Sequence, residues 1–564
     1  MVARSHDPSF IELFTPKLVT VLRERYGLAD LKADAVSGLT VAIVALPLSM
    51  AIAIASGVTP DRGLYASIIG GFIVSALGGS RFQIGGPAGA FIVLVAATVA
   101  QHGVDGLLLA TFLSGLMLSA IGLLRLGTFI KYIPYPVTVG FTAGIAMIIF
   151  ASQLKDLLGL TLDGPEPGPF IPKLEALGRA LPTASGAAIA IAVLSIGTIL
   201  LLRRLRPHWP SYLIAVALAS TLAVALHLPV ETIGSRFGGV PSSLPAPRLP
   251  DLSWARIQEM LPAALSFTLL GGIESLLSAV VADSMSGRRH RSNCELVAQG
   301  LANIGSSLFG GICVTGTIAR TATNVRAGAR GPVSGMLHSV FLLLFMMAAA
   351  PLAAYIPLSA LAGVLAVVAW TMAEKHQFGT LVRASVGDAV VLLATFGLVV
   401  FRDLTEGILT GFGLGALLFL HRMSRAVQVD QPDTANGHGR APYDPTVATD
   451  PDVVAYRISG AFFFGAAAGV AAALDRIGEQ PKAYVLDVSA VPVIDSTAAA
   501  TIEGFARKAR RRGATVTITG ARRPILRVLL AHGVRPPLVR YKADPAEALA
   551  AARRAVGAAS TAAP

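Results

Sequence analysis

Gly78-Gly79-Ser80-Arg81-Phe82-Gln83-Ile84-Gly85-Gly86-Pro87 and Gly310-Gly311-Ile312-Cys313-Val314-Thr315-Gly316 are two stretches of one design. Each opens on a glycine pair and runs through a few residues suited to extended backbone. Each then turns at glycine into a short apolar run, 86–100 in the first case and 315–327 in the second. A bilayer core about 30 Å thick takes about 20 apolar helical residues to cross, so both runs are half-length. Short segments interrupted by Gly and Pro, at matching places in two halves of a chain, point to a transporter built from repeats, with its site at the broken helices.

Working outward, further apolar stretches fall at 34–54, 63–78, 106–124, 134–152, 185–203, 211–227, 262–284, 294–309, 332–350, 357–373, 386–401 and 404–422. With the two short runs these make fourteen expected spans, of which the short ones are the third and the tenth. They lie seven apart. A repeat of odd length must be inverted across the membrane, so the fold expected is a polytopic α-helical membrane protein of fourteen spans arranged as a 7+7 inverted repeat.

Charge agrees with this reading. Only 14% of residues are charged, where soluble domains run nearer a quarter, and mean hydropathy is +0.66. The net charge of +13 does not indicate nucleic acid. Its clusters (Arg203, Arg204 and Arg206; Arg288, Arg289 and Arg291; Arg422 and Arg425) sit in short connectors between apolar runs, as cytoplasmic anchors do under the positive-inside rule. The opposite connectors 101–105 and 351–356 hold no Lys or Arg. The N-terminus is therefore expected in the cytoplasm of a bacterium, with the chain in the inner (plasma) membrane. Residues 1–32 hold no compact apolar core near the start, so no cleavable signal peptide is expected and the first span would serve as an uncleaved signal. Cys294 and Cys313 are the only cysteines. Neither stands in a metal spacing, so no disulfide framework, metal or cofactor is expected.

The composition changes after His421. A polar linker contains Asn436-Gly437, Ala483-Tyr-Val-Leu-Asp-Val488 reads as a buried strand, 496–512 as an amphipathic helix, Ala514-Thr-Val-Thr-Ile-Thr519 as a second strand and 525–531 as another helix. Strand and helix in alternation predict a small α/β domain, on the cytoplasmic side. The expected division is 1–33 for an N-terminal segment, 34–424 for the membrane domain, 425–447 for a linker, 448–556 for the α/β domain and 557–564 for a tail.

Helix N-termini carry unpaired N–H groups and roughly half a positive charge, so two half-helices would offer an anion positive potential at the midplane. Pro87 suits a first helical turn, and Ala88, Gly89 and Ala90 leave the backbone open. Gly316 does the same for the second end, with Thr315 and Thr317 offering hydroxyls; Ala319, Arg320 and Thr321 complete that turn. Arg320 and Glu274 are charges within apolar helices. Each costs at least about 2.5–3.5 kcal/mol if unpaired at the bilayer centre, which makes them functional or a mutually neutralising pair. Leu48 follows Pro47 in the first span, with Ser49 and Ile52 beyond; little hydrogen bonding is expected there, which favours a carboxylate with apolar surface over strongly hydrated sulfate. At the soluble domain's first helix, Asp495-Ser496 reads as an N-cap, with Thr497 offering a second hydroxyl.

These motifs resemble the sulfate permease (SulP) family, also called solute carrier family 26. Ala45-Leu-Pro-Leu-Ser-Met-Ala-Ile-Ala-Ile-Ala-Ser-Gly57, Gly63-Leu-Tyr65 and Gly85-Gly-Pro87 resemble its first three spans, and Thr315-Gly-Thr-Ile-Ala-Arg-Thr-Ala-Thr-Asn324 its tenth. Val485-Leu-Asp-Val-Ser-Ala-Val-Pro-Val-Ile-Asp-Ser496 resembles the STAS domain (sulfate transporter and anti-sigma factor antagonist). The resemblance implies core and gate subdomains, a homodimer, and sulfate, bicarbonate, chloride or dicarboxylate as substrate. The wording is most similar to bacterial DauA-type C4-dicarboxylate carriers, which implies proton-coupled symport of fumarate or succinate. It further implies that Arg320 borders the substrate site and that Glu274 is a coupling carboxylate. Protonated, Glu274 would stop competing for Arg320 and the half-helix ends, so anion and proton would travel together. Similar bicarbonate carriers imply instead a sodium ion on Glu274, Ser278 and Thr317. Ser496 is a candidate position for regulatory phosphorylation, and the STAS domain for a cytoplasmic protein partner. Membrane lipid and a small anion are the other partners expected.

No Ser–His–Asp, HExxH, Walker or GxGxxG context stands at a strand–helix junction, so an enzyme is not expected. His290, His338 and His421 sit at span edges or in apolar helices, suited to interfacial or packing roles rather than catalysis. A purine or uracil permease would share the repeat but lack the STAS domain, and a neutral base has no use for Arg320. An anion channel remains the alternative to a carrier.

Overall fold

The computed structural model describes residues 10–128, 134–164, 166–206, 209–402, 404–425, 428–430, 452–463, 470 and 481–560. Most of the expected linker 425–447 lies outside the described residues, as do the first nine and the last four residues. The chain divides into two compact units, Met1–Gly413 and Leu414–Pro564.

Helix occupies all fourteen expected stretches. In chain order, α1 is Leu28–Ala55, α2 is Pro60–Tyr65, and a π turn at Ala66–Gly70 carries α2 into α3, Gly71–Leu77. Strand β1 is Gly85–Gly86, and a 3-10 turn at Gly89–Phe91 opens α4, Ile92–Leu123. The third and fourth stretches thus form one helical run, broken at Gly103 by φ 69°, ψ −173°, a conformation that glycine alone adopts freely. Then come α5 Tyr135–Leu158, α6 Gly186–Leu205, α7 Ser211–Ala225, α8 Trp254–Ser286, α9 Ser292–Leu308, β2 Thr315–Gly316, α10 Ile318–Arg326, α11 Val333–Ala353, α12 Leu358–Met372, α13 Val386–Phe401 and α14 Leu404–Arg425. Seven helices among the described residues are by themselves long and apolar enough to cross a membrane.

The packing has the symmetry of an inverted repeat. The first stretch of each half packs on the fourth of the other: α1 lies along α11, and α8 along the later part of α4. There Thr268 Oγ1 donates to Ser114 Oγ at 3.1 Å, and Leu118 packs with Leu276. The two fifth stretches, α5 and α12, pack on each other, and α5 also on α13. This separates a core (α1–α4, α8–α11) from a gate (α5–α7, α12–α14).

The second unit holds a five-stranded sheet in the order β3-β4-β5-β6-β7, with β3 Gln428–Asp430, β4 Val453–Ser459, β5 Ala483–Asp487, β6 Thr515–Thr519 and β7 Arg540–Lys542. The β3–β4 pair is antiparallel and the rest are parallel. Its helices are α15 Ser496–Arg511, α16 Arg523–Ala531 and α17 Pro545–Ser560. Side chains alternate across a strand, so β5 serves two cores. Tyr484 and Leu486 pack with Ile502 and Ala506 of α15 and with Leu529 of α16, while Ala483 and Val485 pack with Ala548, Leu549 and Ala552 of α17.

Candidate functional site

The two glycine-rich stretches meet in the middle of the core. β1 and β2 pair antiparallel, Gly85 opposite Gly316 and Gly86 opposite Thr315. Past the pair, Ala88 (φ −111°, ψ 146°) is the extended residue before the turn into α4, and Thr317 (φ −105°, ψ 119°) is the N-cap of α10. The strands run in opposite directions, so the helices leave the crossing in opposite directions and their N-termini converge on it. The first-turn N–H groups of a helix have no intrahelical acceptor, so a small anion at this point meets two sets of donors.

Arg320 stands behind these ends. It is 1% exposed, and its guanidinium donates from Nη1 to Ser67 Oγ (3.1 Å) and from Nη2 to Ser49 Oγ (3.1 Å) and to the carbonyl of Pro87 (3.2 Å). A β-carbon on Gly86 would lie 2.1 Å from Nη1, so this position has room only for glycine. The second half-helix therefore lends its charge to the first, under the backbone of residues 86–87. Ser49 corrects the expectation of little hydrogen bonding in the first span: its hydroxyl meets Arg320 and Ser67 (2.8 Å) and donates to Ala45 O (2.7 Å).

The threonines do not offer their hydroxyls as expected. Thr315 Oγ1 donates to the carbonyl of Gly271 at 3.1 Å and Thr317 Oγ1 to that of Ile84 at 3.3 Å. Thr321 Oγ1 accepts from the N–H of Ile84 (3.1 Å) and from Ser278 Oγ (3.0 Å). These side chains lock the crossing. Ala88 and Ala90 are buried, and Ala319 is exposed. A side chain on Gly89 would meet Met372 Sδ at 3.3 Å and Ile149 Cδ1 at 3.6 Å, which makes α12 and α5 of the gate the facing wall.

Glu274 is 8% exposed, one turn along α8 from Gly271, which abuts Phe91 of the first half-helix turn. The expected competition with Arg320 is absent from this arrangement: no ion pair or hydrogen bond joins them, and the guanidinium bonds from Nη1 and Nη2 go to α1, the π turn and Pro87, while Nε has no hydrogen-bond partner. The residues around β1 and β2 thus meet at one crossing, with Ser278 and Thr321 bonded to each other beside it and Glu274 one turn along α8 from Gly271.

A polar chain around the crossing escaped the sequence reading. Gln83 Nε2 donates to Ser275 Oγ (2.7 Å), Ser275 Oγ to Gln299 Oε1 (3.2 Å), and Gln299 Nε2 to the carbonyl of Val314 (2.7 Å). Asn303 Nδ2 donates to the same carbonyl and its Oδ1 accepts the N–H of Val314, both at 2.8 Å. Gln299 and Asn303, one turn apart in an apolar helix, were the available signal. His338 is wholly buried within α11, with neither ring nitrogen hydrogen-bonded. In the second unit, Asp495 Oδ1 accepts the N–H of Ala498 at 2.8 Å, so Asp495 is the cap, and Ser496 and Thr497 are exposed in the first turn of α15.

Comparison with known proteins agrees. The sulfate permease family profile matches residues 31–395 and the STAS domain profile residues 444–548. A putative sulfate transporter of Bacillus subtilis, YvdB, is 40% identical over 88% of this chain and 92% of its own length. The bicarbonate transporter BicA of Synechocystis is 32% identical over 87% and 88%. The solved transmembrane domain of a cyanobacterial BicA superimposes with a TM-score of 0.62 at 32% identity, covering 68% of this chain and 98% of that one. The murine solute carrier 26 family member A9 anion transporter shares the fold, with a TM-score of 0.83 at 16% identity over 98% of this chain and 96% of that one. With its paired half-helices, its buried arginine and its C-terminal STAS domain, this multi-pass membrane protein belongs to the sulfate permease family of anion transporters.

Proposed function

We propose that the chain is a secondary carrier that moves a small oxyanion, bicarbonate or sulfate, through the crossing of β1 and β2, by movement of the core against the gate. The observation that carries this reading is the convergence of two oppositely directed helix N-termini with the Arg320 guanidinium buried behind them. Such a site holds an anion through backbone donors. Pro87, Ala88, Gly89 and Ala90 supply one half of the cradle; Gly316, Thr317, Ala319, Arg320 and Thr321 form or brace the other. The names of the relatives favour bicarbonate or sulfate. A second reading, proton-coupled uptake of C4-dicarboxylates such as fumarate or succinate, is favoured by the apolar wall of Ile149 and Met372 opposite Gly89.

Coupling falls to Glu274, which is buried without a hydrogen-bond or ion-pair partner among the described residues. An ionised carboxylate one turn from the cradle repels the anion; a proton on it, or a cation beside it with Ser278, removes the repulsion. The N-terminus and the STAS domain face the cytoplasm of the bacterial inner membrane, two copies form the working dimer, and Ser496 is the position open to phosphorylation. The membrane domain is assigned to 34–424 and the STAS domain to 448–556.

Uptake into proteoliposomes tests this. Bicarbonate, sulfate and fumarate are compared with and without inward proton or sodium gradients, for the native chain and for Arg320→Ala. Saturable uptake of bicarbonate or sulfate that the gradient drives and Arg320→Ala abolishes is the expected result. Fumarate alone selects the second reading. Unsaturable, gradient-independent flux identifies a channel and overturns the carrier.

A further inference from the structure

Glu295 is a carboxylate that the transport reading does not use, and it is wholly buried. It sits in the first turn of α9, against the turn that leads from α3 into β1. Its Oε2 accepts the N–H of Ser80 at 2.8 Å, while its Oε1 has no hydrogen-bond partner. Burying an ionisable group costs free energy that one ordinary hydrogen bond does not recover.

The neighbouring groups of the same turn are held as well. The carbonyl of Leu77 accepts from Cys294 Sγ (3.4 Å), that of Gly78 from the N–H of Lys17 (2.9 Å), and that of Gly79 from the N–H of Arg291 (2.9 Å). Past Ser80, Arg81 pairs with Glu24 at 2.5 Å and the carbonyl of Phe82 accepts from Asn324 Nδ2 at 2.9 Å. Residues 81–84, bent at Arg81 and Phe82, join Ser80 to β1 at Gly85, so a shift at Ser80 moves the point from which the chain enters Gly85, Gly86 and the turn at Gly89. At the corresponding turn of the other half, the carbonyl of Gly310 is held by a guanidinium, Arg62 Nη1 at 2.7 Å. A carboxyl group thus holds the turn of the first half of the crossing, and a guanidinium that of the second.

We propose that Glu295 is a positioning residue for the anion site: its carboxylate pegs the N–H of Ser80 and so sets the height at which β1 delivers the first half-helix to the substrate. The proposal rests on the reading of the crossing as the anion site. It concerns reach and acceptor geometry, not charge, and three substitutions separate these. Glu295→Gln keeps an oxygen in place and removes the charge; Glu295→Asp keeps the charge and withdraws the oxygen by one methylene; Glu295→Ala removes both.

The test measures KM and maximal rate of uptake in proteoliposomes, for whichever anion the native chain carries, together with amide hydrogen exchange of residues 78–89 in the full-length protein. Glu295→Gln is expected to keep KM within about twofold of native. Glu295→Asp and Glu295→Ala are expected to raise KM at least about fivefold, the size of effect set by losing one hydrogen bond. Their maximal rate should change little, and exchange should accelerate at 80–86. If Glu295→Ala does not fold, the contrast between Gln and Asp still decides. A native-like Asp variant beside an impaired Gln variant would assign Glu295 a role through its charge and overturn the proposal, as would unchanged KM in all three. Absence of transport by the native chain would instead count against the carrier reading, while faster exchange at 80–86 in the Asp variant would still support the peg.

Discussion

The two halves of the crossing share a plan and divide the labour. The first (78–91) opens on Gly78-Gly79 and reaches its helix through Pro87, Ala88 and Gly89, without a charged residue past Arg81. The second (310–320) opens on Gly310-Gly311 and reaches its helix through Thr317 to Arg320. The first continues into a 32-residue helical run and the second into a helix of nine residues. One half supplies open backbone and space; the other supplies the cation, which reaches across to Pro87 O. An inverted repeat makes the frame symmetric, but a single anion needs only one guanidinium, and a second would meet the first in the same small volume.

That division can be broken most directly at its contact. Gly86→Val puts side-chain carbon where Arg320 Nη1 now lies. Expelling the guanidinium from its partners leaves a buried unpaired charge, at about 3–5 kcal/mol, and uptake at matched expression is expected to fall by roughly a hundredfold or more. The opposite glycine sharpens the comparison. A β-carbon on Gly316 would meet Gln83 Nε2 at 1.8 Å, Cδ at 2.4 Å and Cγ at 2.9 Å, but the side chain displaced there is neutral. Gly316→Ala should therefore cost about tenfold in uptake, in keeping with one or two lost neutral hydrogen bonds. Equal losses at the two positions would contradict the assignment of charge to one half.

A smaller effect is expected at the brace. Gln299→Leu removes the link from Ser275 to Val314 O, yet Asn303 still donates to that carbonyl. About 1–2 kcal/mol should be lost, read as a lower melting temperature of the purified protein. Thr317→Val deletes one 3.3 Å hydrogen bond to Ile84 O, and about 1 kcal/mol corresponds to a rise in KM of roughly fivefold.

The least effect belongs to the outer end of the first crossing, where Arg81 holds the Glu24 carboxyl below its usual range, chiefly by a direct hydrogen bond. A carboxylate with a depressed folded-state pKa stabilises above its unfolded value, near 4.3, and that contribution disappears as pH falls through the folded value. The Glu24 side chain is 48% exposed, so solvent screening keeps the contribution below about 1 kcal/mol. Glu24→Gln should lower the melting temperature slightly at pH 7, with the difference closing below about pH 4. A difference that grows on acidification would reverse the sign and reject the pairing.

The extent to which this molecule was legible follows from distance along the chain. The half-helices could be read because glycine and proline interrupt apolar runs locally, and the STAS strands because Ala483–Leu486 is an apolar run and Thr515–Thr519 is β-branched throughout. Asp495 as a helix cap was equally local. Leu48, in contrast, suggested a first span poor in hydrogen bonds, and the next residue disproved it: Ser49 meets a guanidinium 271 positions away. Glu274 and Arg320 looked like partners because both are charges in apolar helices, a property of each helix alone that says nothing about which faces meet.

Sequence by itself determined the succession of apolar helices, the two broken ones seven stretches apart, and the α/β domain after them, since hydropathy, glycine and strand alternation act over a few residues. Tertiary structure decided what the buried polar groups do. Arg320 binds Ser67 across 253 residues, Gln83 binds Ser275 across 192, and Ser80 binds Glu295 across 215. Each bond exists because a buried donor must find an acceptor among whichever groups packing brings near it, and packing joins residues that no local pattern relates.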